Sequence, residues 1–110
     1  MIMKYNLELS SDTLVEELKK ITNKIYKLLP LREEGEDWQK PLATVIEEIV
    51  GLQNLLNENK LKIFTLICKL EGLFSLKEEN DFFLFRRTIF DCLNLVGELI
   101  KYYGHWKYES

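Results

Sequence analysis

A reacting group needs a partner at a defined spacing, and few residues in this sequence have one. The 110 residues include a single histidine, His105, placed after the last helical pattern and away from Cys68 and Cys92. No G-x-S-x-G elbow and no glycine-rich phosphate loop occurs. Glu33, Glu34, Glu36 and Asp37 form a dense set of hard oxygen donors. A calcium loop, however, places its acids at alternate positions and closes on a glutamate, and that register is missing. Glu47 and Glu48 have no histidine at helical spacing to complete a bundle-type metal pair. The sequence therefore predicts a non-enzymatic protein, with no catalytic residue, no metal, no cofactor and no small-molecule substrate.

Recognition is the chemistry that remains. Fifteen basic and eighteen acidic side chains give a net charge of −3. Phosphate neutralisation supplies much of nucleic-acid affinity, so a mildly acidic chain disfavours that partner. The exception is a strip of Lys20, Lys24 and Lys27 on one helix face, with Lys19 beside it. Glu16 can reach Lys20 at i,i+4, and the rest of the strip suits an acidic partner or a phosphate backbone. Arg87 falls on a polar arc with Asp91, Asn94 and Glu98, whereas Arg86 falls among Phe82, Phe90, Leu93 and Gly97. An arginine among apolar residues is expected to pair with an acid on a neighbouring helix; a ligand contact is the lesser alternative.

The elements that position these residues are helical. Leu14, Leu18, Ile21, Ile25 and Leu28 recur at fours and threes, which predicts a helix over 12–29 that Pro30 ends. Ser10, Ser11 and Asp12 offer cap oxygens, and a capping box starts at Thr13. Trp38, Leu42, Val45, Ile49, Leu52 and Leu56 predict a second helix over 38–57, with Pro41 in its first turn. Ile63, Leu66, Leu70 and Leu73 predict a third over 59–74. Phe82, Phe85, Ile89, Val96, Ile100 and Tyr103 predict a fourth over 81–103, stopped by Gly104 as its left-handed cap and followed by an aromatic tail over 104–110. Before them, Met3, Tyr5, Leu7 and Leu9 alternate with polar residues, the signature of a half-buried β-strand over 3–9. The expected fold is all-α: one domain, an antiparallel four-helix bundle with one short N-terminal strand.

Two helices carry more apolar surface than a bundle needs. Leu61, Phe64 and Cys68 form a second row on the third helix. Leu84, Leu95 and Tyr102 do the same on the fourth, which also shows Phe83 and Phe90. A helix apolar nearly all round is buried nearly all round, so a second chain is expected to cover one of these rows. The lone strand points the same way. Its unpaired edge is satisfied if two copies pair antiparallel across a two-fold axis, making a homodimer with an intermolecular ribbon. The alternatives are pairing with the tail from His105 to Tyr108 inside one molecule, and a strand received from a different protein.

Cys68 and Cys92 lie on separate helices at no ligand spacing and read as free thiols of a reduced compartment. No apolar run spans a bilayer and the N-terminus shows no secretory stretch, so the expected location is the cytoplasm, with no membrane partner. The segments Lys27–Asp37 and Phe85–Leu93, in a chain rich in Lys, Ile, Leu, Asn and Glu, resemble small helical proteins carried by phages and conjugative elements of AT-rich Gram-positive bacteria. That resemblance implies an accessory protein that works by binding another protein. The expected function is a self-associating interaction module. The alternatives are an immunity or inhibitor protein that sequesters one target, and a nucleic-acid accessory using the lysine strip.

Overall fold

Leu14, Leu18, Ile21, Ile25 and Leu28 are all buried, and the helix that carries them, α1, runs over Ile2–Glu33. This computed structural model describes the backbone of residues 2–109 and the side chains of residues 13–56 and 58–104. Among the described residues there is no strand. Residues 3–9, expected to be extended, form the first turns of α1. Part of their spacing is compatible with a helix, since Leu7 stands seven before Leu14 and so continues its stripe, although Tyr5 and Leu9 do not. An isolated strand leaves its backbone groups unpaired, whereas extending an existing helix backward closes one bond per residue. Ser10, Ser11 and Asp12 accordingly lie inside α1 and do not cap it. The side chains of Met3, Tyr5, Leu7 and Leu9 lie outside the described ones.

Pro30 does not end the helix either. It sits inside α1, which continues for three more residues. A proline costs its helix the bond to the carbonyl four residues back, here that of Tyr26, whose side chain is exposed. The ladder resumes at once, with Glu34 N donating to Pro30 O at 3.0 Å. The stop is Gly35, with φ +74°. Gly35 N donates to Arg32 O at 3.2 Å and Glu36 N to Leu31 O at 2.8 Å, the paired bonds of a left-handed C-cap. Asp37 then starts the next helix, its Oδ1 accepting from Gln39 N at 3.0 Å and Lys40 N at 3.3 Å.

That helix, α2, spans Gln39–Leu52. It stops short of 57 because the chain turns there to place Leu56 fully inside. A 3-10 turn over Asn57–Asn59 leads to α3, Lys60–Gly72, which relaxes into a second 3-10 turn over Leu73–Ser75. A third over Glu79–Asp81 opens α4, Phe82–Glu109. Glu78 is the N-cap of that turn, and its N donates to Oδ2 of Asp81, three residues on, at 3.1 Å. Helix α4 passes through Gly104 without a left-handed cap, so His105 lies within the helix backbone.

α1 packs on α2 and α4, and α3 packs on α2 and α4, so the four helices stand at the corners of a square with α1 and α3 diagonal. Lys24 meets Glu48 across α1 and α2, and Lys62 meets Glu98 and Lys69 meets Asp91 across α3 and α4. These registers make both pairs antiparallel. The result is an antiparallel helical bundle. Its described core is wholly apolar, with Trp38 set edge-on to Phe85 at 5.0 Å. α1 and α4 have 32 and 28 residues against 14 and 13 for α2 and α3. At about 1.5 Å per residue the outer pair is roughly twice as long, which gives the molecule its 51 Å long axis.

One end of the bundle is tied by Arg32. Its Nε and Nη2 donate to the Leu76 carbonyl at 3.2 and 2.8 Å, and Nη2 also donates to the Glu78 carbonyl at 2.7 Å. The guanidinium lies 4.8 Å from the Phe85 ring centroid and 5.4 Å from that of Phe82. A planar fork with a stackable face is the one side chain that can make both kinds of contact.

Candidate interaction surface

The sequence leaves recognition as the chemistry to look for, and the structure distributes it over three surfaces. The first lies between α1 and α2. Glu17, Lys20, Lys24 and Glu48 surround a groove of about 260 Å³ floored by Ile21, Gly51 and Leu52. Lys20 pairs with Glu17 at 3.6 Å, rather than with Glu16. Lys24 bonds Glu48 at 2.7 Å. Two cations and two anions cancel within this groove, and only Lys27 of the strip, which is exposed, stands apart from it.

The second surface is the outer face of α3. Leu61 is 78% exposed and Phe64 62%, and Cys68, one turn on, is exposed too. A groove of about 330 Å³ runs beside Leu61, walled by Glu58, Lys62, Thr65 and Leu95. Another, of about 350 Å³, runs beside Phe64 between Gln53, Asn54 and Lys60. The row is therefore an apolar ridge with a trough on either side. The second row expected on α4 is split by the fold. Leu95 and Tyr102 are half-buried against the core at the α3 seam, while Leu84 stays exposed. The Tyr102 hydroxyl donates to Glu58 Oε1 at 3.2 Å, and Asn59 Nδ2 donates to the Tyr103 hydroxyl at 3.1 Å. Burial, first, and Glu58 push the Tyr102 phenol up from its ordinary pKa. Burial also raises Tyr103, against the opposing Asn59 bond.

The third surface is the outer face of α4. Phe83 is 82% exposed, and Phe90, Arg86 and Arg87 are exposed beside it. Among the described residues Arg86 meets no acid on a neighbouring helix, and its partner there is the Phe90 ring, 5.1 Å from the guanidinium carbon. On α4 itself Asp91 pairs with Lys69 and Glu98 with Lys62, both toward α3. Periodicity identified Phe83 and Phe90 as surplus. It could not rank them above Leu95 and Tyr102, because the direction of α3 was unknown.

Cys92 is buried, and burial pushes its thiol up to about 12, against a partial opposing pull from Lys69. A thiol so raised is no nucleophile near neutrality. Among the described residues no three His, Cys, Asp or Glu side chains group closely enough to hold a metal ion, and no helix is long and apolar enough to cross a membrane. No family model, curated protein or solved structure matches this chain.

Proposed function

We propose that this chain is a protein-interaction module that self-associates through the outer face of α3. The observation that carries the reading is the Leu61–Phe64 ridge standing exposed between two grooves. A ridge beside a trough is self-complementary under a two-fold axis, since each copy's ridge can enter the other's groove. The charges permit it. Lys62–Glu98 and Lys69–Asp91 are neutralised in pairs along the seam, so a second copy brings no net repulsion. The patch is small against the roughly 800 Å² per partner of a standard interface. The association is accordingly weak and concentration-dependent. The homodimer is one of helix packing and not of an intermolecular ribbon, because residues 3–9 are helical and offer no strand edge.

Sedimentation velocity across a concentration series tests this. The wild type shifts from monomer toward dimer, and Leu61→Glu with Phe64→Glu stays monomeric with an unchanged melting temperature. Lys20→Glu, on the opposite pair of helices, leaves the shift intact. A wild type that remains monomeric at the highest concentration rules the reading out, as does dimerisation indifferent to the α3 substitutions.

A further inference from the structure

We infer that the outer face of α4 around Phe83, Arg86, Arg87 and Phe90 docks an acidic amphipathic helix of a partner protein. Phe83 and Phe90 are exposed and stand seven residues apart on one helix face, about 10.5 Å, or two turns. That is the spacing of the apolar anchors on a helix lying alongside. Between them Arg86 and Arg87 supply two cations. Asp91, four residues beyond Arg87, is already paired with Lys69 of α3 and Glu98 with Lys62, so among the described residues neither arginine has a carboxylate partner.

Arg86 is also pre-set. Its guanidinium is stacked over Phe90, which leaves the donor edge free for a carboxylate and lowers the ordering cost of binding one. The start of α4 at Phe82 adds the positive end of a helix dipole nearby.

Charge also chooses among occupants. A second copy packed two-fold on this face would bring four arginines together without an acid, unlike the neutral α3 seam. A nucleic acid would continue past the small patch toward the exposed acids Glu78 and Glu79 that precede α4 and be repelled. A short helix carrying Asp or Glu between two apolar anchors matches both the length and the sign.

The test uses the full chain and three synthetic 14-residue helical peptides. All carry leucine at the i and i+7 anchors, and the intervening positions are glutamate, glutamine or lysine. Affinity is read by fluorescence anisotropy and the site by backbone amide shifts. The glutamate peptide binds at least ~10-fold tighter than the other two, with shifts centred on 83–90, and raised salt weakens it. Arg86→Glu with Arg87→Glu reverses the preference toward the lysine peptide, a gain that misfolding cannot mimic. Phe83→Ser with Phe90→Ser abolishes binding while the melting temperature holds. The inference is overturned if the glutamate peptide shows no preference, if the charge-reversed variant fails to switch, or if the shifts fall on α3. It is equally overturned if a single-stranded oligonucleotide competes for the same amides. Because the α3 variants that abolish self-association leave this face intact, the two proposals fail independently.

Discussion

Arg32 and Leu76 are joined across 44 positions of sequence, the guanidinium fork of one closing on the carbonyl oxygen of the other at 3.2 and 2.8 Å. This contact ties the end of α1 to the connection between α3 and α4. It also sets the guanidinium against Phe85, the aromatic that faces Trp38 in the core. The tie therefore couples a loop to the packing of one end of the bundle.

Arg32→Ala should cost about 2 kcal/mol, the range for hydrogen bonds made by a charged group, seen as a fall of about 8 °C in melting temperature for a domain this size. Arg32→Lys should recover less than half of it, because an ammonium makes neither the fork nor the stack. Thermal melts followed by circular dichroism measure both. A lysine variant as stable as the wild type would show that charge alone sufficed.

The two candidate stops of α1 should respond in opposite directions. Gly35→Ala forces a side chain into a left-handed φ and should destabilise by about 1 kcal/mol. Pro30→Ala restores a helix bond and should stabilise by about 1 kcal/mol or more. Urea unfolding midpoints at equal slope report the signs. Stabilisation by Gly35→Ala would contradict the C-cap.

Cys92 should make the protein alkali-labile. Its thiol ionises at about 12 when folded against 9.0 ordinarily. Above pH 9 the unfolded chain loses a proton that the folded chain keeps, so stability falls as pH rises, with a limiting slope of about 1.4 kcal/mol per pH unit up to pH 12. Tyr103, whose pKa is also raised, steepens the fall above pH 10. Cys92→Ala should remove the decline between pH 9 and 10. In a thiol titration at pH 8 in dilute solution, exposed Cys68 should react at once and Cys92 only on unfolding.

The lysine strip should not bind nucleic acid at physiological salt. Lys20 and Lys24 are each paired with a glutamate, and the groove they border is neutral. Anisotropy with a labelled duplex should show affinity weaker than ~10⁻⁴ M, the weak edge of non-specific binding. A measurable constant with a steep salt slope, lost in Lys27→Glu, would restore the nucleic-acid reading.

Much of this protein follows from the order of its residues alone. The three-four spacing of Leu14 to Leu28, and of its counterparts in α2, α3 and α4, places the core, because a helix that must hide one face writes that face into its period. The surplus of apolar residues on α3 and α4 is legible for the same reason. Only the tertiary structure decided how the ends and the surplus were used. Residues 3–9 alternate with a strand's period of two, and the backbone nevertheless took the helix, which closes its own hydrogen bonds. Pro30 and Gly35 both signal a stop, and the choice fell to the glycine that supplies a positive φ. Arg32 finds its carbonyls, and Arg86 its ring in place of an acid, through the packing of distant helices. Leu95 and Tyr102 fold into the α3 seam while Leu61, Phe64 and Phe83 stay in water, because α3 and α4 can each turn only one arc toward their neighbours. Periodicity counts the apolar faces of a helix; which face remains uncovered is set by where the other helices stand.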